Sequence, residues 1–218
     1  MIVYGKNILY EVDKKKIKKA YISRNDYIGY LKENNIKYEM VDKSRLDKMV
    51  KGVHQGLVLD IFDYNYYKMD DLEGNFVVIL DHLTDPHNFG AIIRTCESKG
   101  IKSIIIPKDR SVLVNDTVYK TSEGAIDNVK IIMVTNIINA INKLKEMNYF
   151  VYCADMDGQD YRNVDYAPKK VLIIGNEGMG ISSAVKKNSD VVVAIPMKGK
   201  INSLNASVSA GIIIYRMD

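Results

Sequence analysis

Short, nearly continuous apolar runs recur along the chain, and stretches with helical spacing separate many of them. Residues 17–22 read as a strand, and Asp26 is placed to cap a helix running through Tyr30 and Leu31. Residues 37–41 read as a second strand and 44–50 as a second helix. After the punctuation His54-Gln55-Gly56, residues 57–61 read as a third strand. The pattern then lapses: residues 65–75 mix aromatic and polar positions without a period and read as a linker. Beyond them, 76–81, 103–106, 129–134, 149–154, 171–174 and 191–195 each read as a strand covered on both faces. Helical patterns at 89–99, 137–147, 182–187 and 203–217 lie between or after them. Apolar strands alternating with helices predict an α/β fold with a mostly parallel sheet and helices on both faces. The expected division is a small α/β unit over 1–64, a linker over 65–75 and a large unit over 76–218.

Three loops carry candidate chemistry, because each follows an apolar strand and open α/β sheets bind ligands at the carboxyl ends of their strands. In the first, Pro86 and Gly90 permit a turn and close backbone approach, and Asn88 offers a donor and acceptors at the helix start. Arg94, six residues on, is a fixed fork of donors suited to phosphate or carboxylate. A capping Asn and a surface Arg without a ligand would look the same.

The second loop, Gly175-Asn176-Glu177-Gly178-Met179-Gly180-Ile181-Ser182, places three glycines in six positions. It matches neither GxGxxG nor the Walker loop. Such glycines suit a backbone pressed against a ligand, or a tight turn with Ser182 as N-cap. Glu177 is placed to accept from a ligand hydroxyl or to anchor an Arg. The third loop runs Ile195-Pro196-Met197-Lys198-Gly199 and on to Ser203-Leu204-Asn205. Ser203 reads as the N-cap of the last helix, and Asn205 and Ser207 are unusual choices inside one. Ala206, Ser207, Ser209, Ala210 and Gly211 form a smooth face for a tightly packed neighbour.

Composition narrows the classes. Hydrophobic residues at 47% and charged residues at 27% are an ordinary globular balance. No apolar run approaches the roughly 20 residues of a membrane-spanning helix, and no secretory signal is visible. Neither Cys96 nor Cys153 sits in a CxxC or Cys/His cluster, so free thiols in a reducing cytosol and no metal site are expected. Both cysteines are expected in the core. Asp155-Met156-Asp157-Gly158 does not complete a twelve-residue calcium loop. Residues 1–51 carry 13 Lys and Arg against 7 Asp and Glu, whereas the rest carries 18 against 20. A basic surplus gathered in one segment fits a phosphate-binding module, or a solvated basic surface. The run Lys14-Lys15-Lys16-Ile17-Lys18-Lys19 and the later Arg110 are candidates for such a surface.

Together the three loops resemble the signature motifs of the SpoU family of RNA 2′-O-ribose methyltransferases, within the SPOUT superfamily. The matching residues are Asn88-x-Gly90-x-x-x-Arg94, then Gly175-Asn176-Glu177-Gly178-x-Gly180-Ile181, then Ile195-Pro196-Met197-x-Gly199-x-x-x-Ser203-Leu204-Asn205. They occur in the family's order, and the resemblance covers the chain from about Phe76 onward. Tyr4-Gly5-Lys6-Asn7 and His54-Gln55-Gly56 resemble the small RNA-binding extension of the branch that modifies a guanosine of 23S rRNA.

The resemblance implies a deep trefoil knot, which connection rules would not suggest, and a homodimer with its active site at the subunit interface. It implies a cytoplasmic enzyme that uses S-adenosyl-L-methionine and acts on RNA, with no membrane and no metal. Gly175, Asn176, Gly178, Gly180, Ile195, Met197 and Leu204 are the expected cofactor contacts. Arg94, Asn88, Glu177, Ser203 and Asn205 are the expected catalytic group. An Arg with a pKa above about 12 is a poor proton acceptor. Arg94 is therefore expected to fix the phosphate beside the reacting ribose and to stabilise charge developing on the oxygen, with Glu177 holding it. His82 and His87 are expected in turn or capping roles. The rival expectations are a tRNA ribose methyltransferase, a non-catalytic RNA-binding ribosome-assembly factor, and a nicotinamide dehydrogenase, which the missing GxGxxG disfavours.

Overall fold

The computed structural model describes residues 1–217. Its first part comprises β1 (Ile2–Tyr4), α1 (Ile8–Glu11), β2 (Ile17–Ile22), α2 (Ile28–Glu33), β3 (Tyr38–Met40), α3 (Lys43–Met49) and β4 (Leu57–Ile61). These strands form a sheet in the order β1-β4-β2-β3, in which only β2 and β3 run parallel. Alternation decides which face is covered: Ala20 and Ile22 are buried, while Lys19 and Tyr21, which alternate with them in β2, are only half-buried.

The second part comprises β5 (Phe76–Leu80), α4 (Pro86–Ser98), β6 (Ser103–Pro107), α5 (Asp116–Ser122), β7 (Lys130–Val134) and α6 (Ile137–Glu146). It continues through β8 (Phe150–Asp160), β9 (Lys170–Ile174), α7 (Ser183–Asn188), β10 (Val191–Ala194) and α8 (Ala206–Arg216). The six strands lie in the order β10-β8-β9-β5-β6-β7, and every pairing is parallel. The mostly parallel sheet expected from the apolar runs is what forms. Every residue of β6 and β9 is buried, as a sheet covered on both faces requires.

Successive residues of β5 feed opposite cores. Val77 and Ile79 pack with Ile141 and Leu144 of α6 and Val185 of α7. Val78 and Leu80 pack with Phe89 and Ile93 of α4 and Ile213 of α8. Residues Ile137, Ala140, Ile141 and Leu144 bury one stripe of α6, at helical spacing. Each fully buried Leu or Ile contributes about 1.5–3 kcal/mol relative to exposure.

From β5 the chain builds outward through β6 to β7, then returns to add β9, β8 and β10 on the other side. The order therefore reverses between β5 and β9, and their carboxyl ends stand side by side: Asp81 N donates to Ile174 O at 2.8 Å. That reversal opens a crevice for a ligand.

Several expectations are corrected. The last helix starts at Ala206, not Ser203, and Asn205 is its cap, accepting from Ser207 N and Val208 N. Asp26 caps nothing: it lies in a 3-10 turn, Asn25–Tyr27, that precedes α2. The start of the segment read as a linker, and Tyr64 just before it, are pinned to the large unit. Tyr64 Oη accepts from Ile131 N, Tyr66 Oη accepts from Val114 N, and Tyr67 bridges to Ile132. β1, α1 and α5 escaped the pattern because each is too short or too polar to show a period.

The strand read over 149–154 runs on to Asp160 because it contains a break. Cys153 pairs with Val192 but Gln159 pairs with Val193, so residues 154–158 loop out. Gly158 is needed there: a Cβ would lie 2.6 Å from the carbonyl carbon of Val193. The two parts are joined at Asp127, whose carboxylate accepts from Asp13 N at 2.8 Å and pairs with Lys16.

Candidate functional site

The site grows from the ends of β5, β9 and β10. After β5, the buried Asp81 carboxylate accepts from His82 Nδ1 at 2.6 Å and from Ser182 N at 3.2 Å. It thus ties two of the loops together at their base. Asp85 then caps α4 by accepting from His87 N, and Pro86 fills the first helical position, where a missing N–H costs nothing. This start turns Asn88 inward, where it is buried.

After β9 the chain folds into a closed loop. Gly175 has no alternative: a Cβ would lie 2.4 Å from the carbonyl carbon of Gly180. Asn176 and Gly180 exchange backbone hydrogen bonds, with Gly180 in the left-handed region at φ 68°. The Asn176 side chain organises the rest. Its Oδ1 accepts from Gly178 N and Met179 N, and its Nδ2 donates to His82 O at 2.7 Å. Glu177 is thereby aimed at the loop after β5. Its carboxylate accepts from Thr84 N, Thr84 Oγ1, Asp85 N and Asn88 Nδ2, the last at 3.1 Å.

After β10, residues 195–205 carry no regular element and lead to the Asn205 cap of α8. Between the loops lies a cleft of about 310 Å³. Ile174, Val193, Leu204 and Ile213 give it apolar walls, and the 175–180 loop gives it a wall of backbone. The looped-out segment of β8 adds Ala154, Asp155 and Met156. Lys186 of α7 fixes that segment by bonding Asp155 Oδ2 at 3.0 Å and Asp157.

All seven expected cofactor contacts, Gly175, Asn176, Gly178, Gly180, Ile195, Met197 and Leu204, line this one cleft, and so do Glu177 and Ser203. Asn88, Asn205 and Arg94 are not among the lining residues. Asn88 stands behind Glu177, and Asn205 is occupied as a helix cap. Arg94 lies on the exposed face of α4, its Nη1 2.8 Å from Glu123 Oε2. The expectation that Glu177 holds Arg94 is thus replaced: Glu177 serves the loop after β5, and Glu123 pairs with Arg94.

Asp155, Met156, Asn202 and Ile213 line the cleft without having been singled out as contacts. The usable signal for the first two was Gly158 and a polar interruption inside an apolar strand. In the small sheet the two sequence motifs meet: Lys6 N donates to Gln55 Oε1 at 2.9 Å. Buried His54 accepts from Gly56 N on Nδ1, which leaves Nε2 to donate to Asp47.

A cleft at the strand-order reversal of a parallel sheet, walled by glycine-rich backbone, places the chain among α/β proteins that hold a ligand at that edge. Comparison with known proteins narrows this. Residues 75–215 match the SpoU rRNA Methylase family, and residues 2–67 match a family described as RNA 2′-O ribose methyltransferase substrate binding. The YacO protein of Bacillus subtilis, named as a TrmH family tRNA/rRNA methyltransferase, is 38% identical over 99% of this chain and 94% of its own length.

Two solved structures share the fold. The AdoMet-bound rRNA methyltransferase of Sinorhizobium meliloti has a TM-score of 0.85 at 24% identity, over 99% of this chain and 85% of that one. The SpoU methyltransferase AviRb of Streptomyces viridochromogenes, in complex with AdoMet, has a TM-score of 0.84 at 20% identity, over 100% and 88%. The chain belongs to the SpoU rRNA methylase family and is an RNA methyltransferase. Among the described residues, no helix is long and apolar enough to cross a membrane.

Proposed function

We propose that this chain methylates a ribose 2′-hydroxyl of a guanosine in 23S rRNA, using S-adenosylmethionine. The observation that carries the reading is the convergence of three separate loops, with all seven expected cofactor contacts, on one cleft. The cleft fits the cofactor. Its size suits a nucleoside-sized ligand, its apolar walls suit an adenine face, and its loop backbone offers donors and acceptors to base and ribose.

The bound cofactor supplies an already electrophilic sulfonium methyl. What remains for the protein is alignment and removal of a hydroxyl proton. Gly175, Ile195 and Leu204 hold the adenosyl end, while Gly178, Gly180, Asn176 and Met197 complete the enclosure. Glu177 and Asn88 lock the glycine loop against the start of α4. Ser203, beside the cleft, and Asn205, at the cap of α8, orient the acceptor hydroxyl. Arg94 takes the phosphate next to the reacting ribose and stabilises negative charge as it develops. It does not take the proton.

The small basic sheet supports RNA as the partner, and the substrate-binding family match over residues 2–67 supports the ribose hydroxyl as the acceptor. We further propose the trefoil knot, a homodimer and a cytoplasmic location. The register break in β8, and α8 reaching Arg162 O through Arg216, are consistent with a C-terminal segment passing under the 161–163 turn. Met179, Ile201 and Val208 expose apolar surface around the cleft and α8, as an interface between copies requires.

The test is transfer of label from tritiated S-adenosylmethionine to 23S rRNA fragments and to tRNA, with the modified nucleotide then mapped. Label at a ribose of 23S rRNA supports the reading. Label only in tRNA replaces the substrate, and tight RNA binding without transfer replaces catalysis.

A further inference from the structure

Arg94 is not a free side chain waiting for RNA. Its Nη1 lies 2.8 Å from Glu123 Oε2, with the two side chains 58% and 52% exposed. A pair this exposed adds little stability, so its placement is the more informative feature. Glu123 closes α5 in the left-handed region, at φ 46° and ψ 52°. Helix ends usually give that conformation to Gly or Asn, because a Cβ strains it.

The next residue, Gly124, is also left-handed, and a Cβ there would lie 3.1 Å from Glu11 O. Glu11 ends α1, in the small N-terminal sheet unit. Its carboxyl lies within electrostatic range of Glu123 and Arg94. Burial pushes the Glu11 pKa up, Glu123 pushes it further, and Arg94 pulls it down. The guanidinium thus pairs with Glu123 and also acts through space on the Glu11 carboxylate of the other part of the molecule.

Building on the RNA methyl-transfer reading, we propose that Glu123 is a positioning residue that holds Arg94 at the seam through Nη1 while the rest of the guanidinium meets an RNA phosphate. The Arg fork fits carboxylate and phosphate alike, so one guanidinium can face Glu123 and the phosphate at once. Glu123 and Glu11 together repel an approaching phosphate. At the same time Glu123 restrains a long side chain that would otherwise sample many rotamers. Removing the Glu123 charge thus has two opposed effects: RNA binds more readily, and the bound complex reacts more slowly.

The experiment is steady-state transfer from tritiated S-adenosylmethionine, with whichever RNA the wild-type protein labels. Glu123→Gln is expected to lower the KM for RNA about threefold and kcat about fivefold, with cofactor Kd unchanged. Glu11→Gln lowers the KM as well. Glu123→Gly relieves the backbone strain, so its Tm rises, yet its kcat falls as in Glu123→Gln. Wild-type constants in Glu123→Gln, or a kcat loss that follows a loss of Tm, overturn the proposal while wild-type transfer stands. A wild-type protein that labels no RNA overturns the underlying reading and this proposal with it.

Discussion

Asn88 Nδ2 donates to Glu177 Oε1 at 3.1 Å, joining the first turn of α4 to the tip of the loop after β9 across 89 residues of sequence. Neither group faces the other by local necessity. Asn88 is turned inward by the Asp85 cap and Pro86, and Glu177 is aimed by the Asn176 side chain. The bond therefore reports whether two of the three loops are in register.

Glu177→Ala is expected to unhook them. It leaves Thr84 N, Asp85 N and Asn88 Nδ2 without their shared acceptor, an effect worth about 1–2 kcal/mol for partly solvated donors. The affinity for S-adenosylmethionine should fall about tenfold, with a Tm loss of a few degrees. Titration calorimetry and thermal melting check both. Unchanged affinity would mean that the loop register does not shape the cleft.

Gly175→Ala tests the loop from the other side. The added methyl would stand 2.4 Å from the Gly180 carbonyl carbon, which is backbone and cannot rotate away. Relief requires opening the 175–180 loop, at an overpacking cost of about 1–3 kcal/mol. Cofactor binding should be lost in calorimetry while far-ultraviolet circular dichroism stays at the wild-type level.

The Asp160 carboxyl is pushed down to about 2 by Arg162, which bonds it, and it caps the 161–163 turn through Arg162 N. Its folded pKa lies below the ordinary value of 3.8, so its stabilising contribution is full above that value and disappears as pH falls through about 2. Asp160→Asn should therefore lower the Tm near neutral pH. The gap to wild type should close between pH 3.8 and about 2, as melting curves across that range will show. A gap that persists at still lower pH would assign the effect to something other than this charge.

The parts of this molecule that could be read in the sequence were those governed by one local rule. Val77 to Leu80 are apolar at every position, so a doubly covered strand follows, and the parallel sheet with it. Gly175, Gly178 and Gly180 after such a strand marked the cleft wall. What escaped depends on distant partners. Glu123 sits in a strained cap that no periodicity signals, so its pairing with Arg94 was out of reach. Asp155 and Met156 enter the cleft only because the β8 register breaks opposite Val192 and Val193. Tyr66 and Tyr67 looked like linker residues, since the backbone groups that fix them come from 114, 131 and 133.

Arg94→Ala separates binding from reaction. Arg94 is absent from the cleft wall, so cofactor affinity should change by less than about twofold, whereas methyl transfer should fall by about 10² or more. Rate and affinity falling together would show that Arg94 supports the cofactor site instead.

The central claim is that the cofactor occupies the cleft between the three loops. Hydrogen–deuterium exchange of the protein with and without S-adenosylmethionine tests it most directly. The account predicts added protection confined to residues 154–156, 174–181 and 193–213, with the small N-terminal sheet unchanged. Protection centred elsewhere, or none at a saturating concentration, would contradict it.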